Sequence, residues 1–104
     1  MNNELTPYIE YHDNGNVFAK GQENSKGQRE GIWELFYSNG NIEIRTSYVE
    51  GKRDGIAECF YAAGNIESRT SYKEDKEDGI EEWFDKQGNI TLTYLWRRGN
   101  NCRN

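Results

Sequence analysis

GIWELFYSNGNIEIRTSY, residues 31–48, is followed by a close copy, GIAECFYAAGNIESRTSY, at residues 55–72. Aligning residues 31–54 with residues 55–78 gives identical amino acids at 16 of 24 positions. Glycines recur at the same interval, at positions 31, 55 and 79 and again at positions 40, 64 and 88. The chain is therefore an internal repeat with a period of 24 residues.

A chain of 104 residues is long enough for a single domain only. The repeats are therefore units within one domain. Complete units are predicted at residues 31–54, 55–78 and 79–100. Residues 8–30 form a degenerate first unit, as a capping repeat would, and residues 101–104 form a tail.

Each unit contains two β-rich runs, such as IWELFY and NIEIRTSY, and none shows helical periodicity. Asn39-Gly40 predicts a tight type I′ hairpin turn between the two runs. Polar segments such as EGKRDG predict loops of about six residues between units. The predicted fold is all-β, an elongated twisted antiparallel β-meander of tandem β-hairpins.

A two-residue turn at Asn39-Gly40 sets the register of the hairpin. The corresponding Ala63-Gly64 and Gln87-Gly88 are weaker turn signals that also allow a longer loop, and an even loop at Ala63-Gly64 gives the next hairpin the same register. Glu34 then lies opposite Arg45, and Glu58 lies opposite Arg69. Such cross-strand ion pairs contribute about 0.2–1 kcal/mol each and fix the register. They therefore explain these carboxylates without a metal site.

The register also divides the hairpins into two faces, one that varies between units and one that repeats. The variable face carries Trp33, Leu35, Tyr37, Ile42, Ile44, Thr46 and Tyr48, then Ala57, Cys59, Tyr61, Ile66, Ser68, Thr70 and Tyr72, then Trp83, Ile90, Leu92, Tyr94 and Trp96. The ladder face carries Ile32, Glu34, Phe36, Glu43, Arg45 and Ser47, and then Ile56, Glu58, Phe60, Glu67, Arg69 and Ser71. The variable face thus has large side chains at its ends and small ones in the middle.

Composition and charge limit the possible partners. Aromatic residues make up 13% of the chain although hydrophobic residues make up only 34%, which favours a folded protein over a disordered one. The net charge of −5 has the wrong sign for direct binding to nucleic acid or to an anionic membrane. It favours solubility and a partner more basic than the chain. We expect a cytoplasmic protein, since the first residues lack a signal-peptide pattern.

Residues for catalysis or metal binding are scarce. His12 is the single histidine, and it occupies the repeat position of Tyr37 and Tyr61. Cys59 and Cys102 form no CxxC pair, so neither a zinc site nor a disulfide framework is expected. The sequence predicts no enzyme, no cofactor and no metal.

The motifs FYSNGNIEIRTSYVEGKRDG, FYAAGNIESRTSYKEDKEDG and WFDKQGNITLTYLWRRGN resemble the MORN repeat in its variant form. YHDNGNVFAKG is a weaker first copy. The chain is similar in this respect to the YwqK-family antitoxins of bacterial toxin–antitoxin systems. The resemblance implies an elongated antiparallel sheet used for protein binding or scaffolding. Asp75, Asp85 and Ala62-Ala63 depart from the pattern.

These observations predict a protein-binding module, antitoxin-like or inhibitory, that occludes a partner protein. The predicted contact residues are the aromatic and large apolar side chains of the variable face: Trp33, Leu35, Tyr37, Trp83 and Trp96. A core inside a curled sheet explains the same residues equally well. The alternatives are a self-associating scaffold without an inhibitory role, and an acidic nucleic-acid mimic that blocks a nuclease. A homodimer through a sheet edge or the aromatic face is also open.

Overall fold

A computed structural model describes residues 4–101, so Cys102 and most of the predicted tail lie outside the described residues. Nine β-strands are present within this range: β1 Thr6–Tyr11, β2 Val17–Glu23, β3 Arg29–Phe36, β4 Ile42–Val49, β5 Lys52–Phe60, β6 Ile66–Lys73, β7 Lys76–Phe84, β8 Ile90–Arg97 and β9 Asn100–Asn101. They form one antiparallel sheet in which each strand pairs with the next along the chain. The predicted all-β meander is confirmed.

The central register agrees with the sequence-based one. Glu34 pairs with Arg45, and Glu58 pairs with Arg69. Strand pairing of the same kind continues between the units, where Arg45 also lies opposite Glu58. The sheet is therefore a single layer, with overall dimensions of 44 × 37 × 14 Å.

The turn within each unit differs from the predicted type I′ turn. The N–H of Tyr37 donates to the carbonyl of Asn41 at 2.8 Å, and the N–H of Gly40 donates to the carbonyl of Tyr37 at 3.0 Å. Only Gly40 of the Asn39-Gly40 pair has a positive φ, +94°. The connection is thus a three-residue loop with glycine in the left-handed position.

The extra loop residue shifts the pairing by one at the end of each hairpin. Phe36 pairs with Ile42, Phe60 with Ile66 and Phe84 with Ile90. Directly opposite residues share a face of the sheet. The assignment of Ile42, Ile66 and Ile90 to the variable face was therefore wrong, because a one-residue shift transfers a side chain to the opposite face. They lie on the ladder face with the phenylalanines.

The predicted six-residue loops between units were also wrong, since the strands continue through them to two-residue turns. Val49 pairs with Lys52, and Lys73 pairs with Lys76. Both central residues of each turn have positive φ, as a type I′ turn requires. These turns are Glu50-Gly51 (49° and 82°), Glu74-Asp75 (49° and 73°) and Arg98-Gly99 (53° and 86°).

Burial is confined to the variable face. The buried residues of the described chain are Ala19, Trp33, Thr46, Ser68, Thr70 and Glu81. Their strand pairing places them all on the face that carries Trp33. On the ladder face Ile32, Ile56, Ile80 and Ile90 remain exposed, and the phenylalanines at the hairpin ends are half-buried. The core of this small sheet is thus formed by side chains that cover one another on one face.

Candidate protein-binding surface

Trp33 closes the first end of the variable face. Its indole lies over Gly21, where an added Cβ would overlap the ring. Its Nε1 donates to the carbonyl of Gln22 at 2.9 Å, and Tyr8 and Arg29 cover the ring at 5.2 Å and 4.5 Å. Only 3% of Trp33 is exposed. This predicted contact residue therefore packs within its own chain.

Small side chains form the middle of the variable face, as the sequence indicated. Ala57 pairs with Thr70, and Cys59 pairs with Ser68. Burial raises the pKa of the Cys59 thiol, which keeps it protonated near neutral pH. Cys59 is thus a small packing residue and a poor nucleophile.

The third unit presents tryptophans around a buried carboxylate. Glu81 is 8% exposed, and its carboxylate accepts hydrogen bonds from the indole nitrogens of Trp83 and Trp96, the latter at 2.8 Å. Tyr94 packs against Trp96 with ring centroids 6.3 Å apart. Trp83 remains 36% exposed. The shared carboxylate fixes both rings and leaves that of Trp83 partly exposed.

The remaining predicted contact residues, Leu35 and Tyr37, are half-buried. Leu35 lies between Ala19 and Ile44 in the sheet. The hydroxyl of Tyr37 donates to the carbonyl of Phe60 at 2.6 Å, and burial raises the pKa of this phenol. Trp83 and Trp96 are thus brought together, whereas Trp33, Leu35 and Tyr37 belong to the other end of the face.

The prediction omitted Glu81, although the repeat contains a signal for it. Glu81 occupies the position of Trp33 and Ala57, where the other units have uncharged residues. A carboxylate at such a position, two residues before a tryptophan on the same face, needs hydrogen-bond donors nearby. The strand pairing that brings Trp96 next to Glu81 supplies the second donor.

The ladder face contains a row of ion pairs that crosses the units. Arg45 lies 3.1 Å from Glu34 and 3.6 Å from Glu58. Arg69 lies 3.3 Å from Glu58 and 3.8 Å from Glu82. These pairs are partly exposed, so each contributes little stability. Their main consequence is a row of alternating charge along the sheet.

Among residues 4–101, no cluster of three or more His, Cys, Asp or Glu side chains has a geometry suited to a metal ion. The same residues contain no helix of the length and apolarity needed to cross a membrane.

Two segments of the chain match a known family of repeats. The MORN repeat variant family matches residues 29–50, which span β3 and β4, and residues 53–74, which span most of β5 and all of β6. No curated protein and no solved structure matches the chain. Residues 29–50 and 53–74 are therefore each similar to a MORN repeat of the variant form, which supports the predicted repeat module.

Proposed function

We propose that this chain is a non-catalytic protein-binding module, antitoxin-like or inhibitory, that covers a partner more basic than itself. The observation that carries the proposal is the pair of tryptophans at Glu81. Aromatic side chains dominate binding energy at interfaces, and a ring that is already fixed loses little entropy on binding. Trp83 is such an anchor, because Glu81 holds its indole while part of the ring stays exposed.

Charge supports the choice of a basic partner. The chain carries 18 acidic and 13 basic residues, and the arginines of the ladder face are already paired with glutamates. A basic partner would be attracted over a distance of about 8–10 Å at physiological salt. Complementary charge of this kind accelerates association and disfavours acidic competitors. As part of the same proposal the protein acts in the cytoplasm, where thiols such as that of Cys59 stay reduced.

A scaffold that self-associates without inhibiting a partner is the second candidate. The observation that favours it is the ladder face, on which apolar side chains such as Ile32, Ile56 and Ile80 stay exposed. Self-association through this face and binding of another protein at Trp83 use opposite sides of the sheet. The two functions are therefore separable by substitution.

The test is capture from the native host with the tagged chain, followed by reconstitution with the purified partner. We expect one basic protein in stoichiometric amount, loss of its activity in the complex, and weaker binding between about 50 mM and 500 mM salt. Trp83→Ala should weaken the purified complex by about thirtyfold or more. Ile80→Ala, on the same strand but the opposite face, is the matched control.

Two results would contradict the proposal. One is a partner whose affinity is the same for wild type and Trp83→Ala while both variants stay folded. The other is recovery of the chain from the native host without any second protein, whether or not the chain itself is dimeric.

A further inference from the structure

The ladder face carries a row of alternating charges that extends across several repeat units. Six residues pair successively across β2 to β7 and alternate in sign: Lys20, Glu34, Arg45, Glu58, Arg69 and Glu82. Three positive and three negative charges make the row neutral, although the chain as a whole is acidic. The excess negative charge of the chain therefore lies outside this row. The row itself is neutral and does not repel a second copy of the acidic chain.

Apolar side chains flank the charged row on the same face. On one side are isoleucines at intervals of one repeat, Ile32, Ile56 and Ile80, exposed by 60%, 46% and 55%. Ile32 pairs with Ser47, and Ile56 pairs with Ser71, so large and small side chains alternate along the row. On the other side are the phenylalanine and isoleucine pairs at the hairpin ends, which include Phe60 with Ile66.

A sheet of this kind needs a second layer. Stable domains bury the apolar face of one layer against another. Within residues 4–101 the buried hydrophobic residues are only Ala19 and Trp33, and both belong to the variable face. The ladder face thus has apolar rows and no layer of the described chain to cover them.

We propose that a second copy of this chain supplies that layer, with the two ladder faces packed together. The pair would be related by a twofold axis parallel to the strands, between β4 and β5. This axis places β4 of one copy over β5 of the other and β3 over β6.

Charge complementarity selects this arrangement. A row of six alternating charges, reversed about its centre, places every charge against one of opposite sign. Arg45 of one copy faces Glu58 of the other, and Glu34 faces Arg69. The charges with ion-pair partners in their own chain are not buried unpaired at the interface; they are Glu34, Arg45, Glu58, Arg69 and Glu82.

The same axis matches the shapes of the apolar rows. Ile56 of one copy faces Ser47 of the other, so a large side chain meets a small one, and Ile32 faces Ser71 in the same way. At the hairpin ends Phe60 faces Ile42. Aligned sheets pack in this interdigitated manner at a separation of about 10 Å.

The available area is sufficient for a stable dimer. The six strands from β2 to β7, spaced by about 4.8 Å, with about six residues each at about 3.3 Å, cover a footprint on the order of 600 Å² per copy. Standard interfaces bury about 600–1,000 Å² per partner, so this footprint reaches the lower end of that range. The central strands carry most of the contact, since twist separates the sheets toward their edges.

The experiment measures the mass of the full-length chain by sedimentation over a range of concentrations, with circular dichroism for each variant. Wild type is expected to be a dimer. Ile56→Lys and Ser47→Lys each place a charge against the facing apolar row, and each should raise the dissociation constant by about thirtyfold or more. Ser47→Ala is the matched control for Ser47→Lys, and Trp83→Ala is the control for the opposite face. Both controls should remain dimeric.

The inference fails if the wild-type chain is monomeric at about 100 µM, a concentration at which a standard interface is occupied. It also fails if a dimer survives both lysine substitutions, as an edge-to-edge dimer would; Thr91→Pro on β8 then identifies the edge. If a lysine variant loses its β spectrum, Ile56→Ala replaces it, with an expected weakening of about tenfold. The dimer is independent of partner binding at Trp83, so either proposal can fail alone.

Discussion

The hydroxyl of Tyr37 donates a hydrogen bond to the backbone carbonyl of Phe60, which lies in the following unit. Tyr61 makes the same bond to Phe84, and Nε2 of His12 bonds the carbonyl of Phe36 at 2.7 Å. The ring nitrogen must act as the donor there, because a carbonyl only accepts. The residues at this repeat position therefore connect each unit to the next, and His12 has a structural role.

Tyr37→Phe should destabilise the sheet by about 1 kcal/mol, because it removes one hydrogen bond and leaves the Phe60 carbonyl without that donor. Urea unfolding followed by circular dichroism measures the change. Tyr11→Phe, at an exposed tyrosine of β1, is the matched control and should leave the unfolding midpoint unchanged. Equal effects of the two substitutions would show that the bond between units contributes nothing.

Gly21 and Trp33 should be coupled in a double-mutant cycle. Gly21→Ala places a methyl group in the volume of the indole, so we expect a loss of about 1–3 kcal/mol of unfolding free energy. Trp33→Ala alone should cost about 3–5 kcal/mol. In the Trp33→Ala background the alanine at position 21 should cost little, since the clash is gone. Additive losses in the double variant would contradict the predicted overlap.

Glu81 should be needed for the environment of the two tryptophans. Glu81→Leu leaves two indole N–H groups without their acceptor, and hydrogen bonds to a charged group are worth about 1.5–3 kcal/mol each. Glu81→Gln keeps one acceptor oxygen and should cost less. Unfolding free energy and the emission maximum of tryptophan fluorescence provide the two measurements. Glu74→Gln, in an exposed turn, is the control, and a stable Glu81→Leu with unchanged emission would contradict the prediction.

Much of the fold could be predicted from the repeat, because strand pairing follows from periodicity. The pairs of Glu34 with Arg45 and of Glu58 with Arg69 were predicted correctly. What could not be predicted was the length of each turn. Asn39-Gly40 suits a type I′ turn by its residue types, but the side chain of Asn39 instead accepts from the N–H of Asn41 and donates to Ala62 in the next unit. This contact between units stabilises the longer loop.

The type I′ turns were predicted at the wrong positions, because residue types alone did not mark the turns that adopt this geometry. Glu74-Asp75 has no glycine or asparagine, the residues that usually mark positive φ. Asp75 adopts it because Arg53, on the preceding hairpin, binds its carboxylate at 2.8 Å. The burial of Trp33 could not be predicted for a similar reason. The repeat pattern placed Trp33 on the variable face, but its burial depends on Tyr8 and Gly21, which lie in the irregular first unit.

The contact between Arg53 and Asp75 makes the turn sensitive to pH. The side chain of Arg53, and then its backbone N–H, donate to Asp75 and hold the pKa of that carboxyl below its ordinary value of 3.8. A carboxyl whose pKa is lowered by folding stabilises the folded state above its ordinary pKa. That stabilisation is lost as the pH falls through the lower, folded-state pKa.

Asp75→Asn should therefore unfold more easily than wild type at pH 7, and the difference should shrink as the pH falls below the ordinary pKa of 3.8 and through the lower, folded-state pKa, because Asp75 then becomes neutral as Asn is. Unfolding free energies at a series of pH values measure it. Asp85 is the matched control: its pKa is also lowered, but chiefly by the backbone N–H of Asn89 rather than by a cation. Salt should therefore reduce the effect of Asp75→Asn more than that of Asp85→Asn. The prediction is contradicted if the free energies of unfolding of wild type and Asp75→Asn differ by the same amount at every pH. The contribution of Asp75 would then come from the geometry of the turn and not from its bond to Arg53.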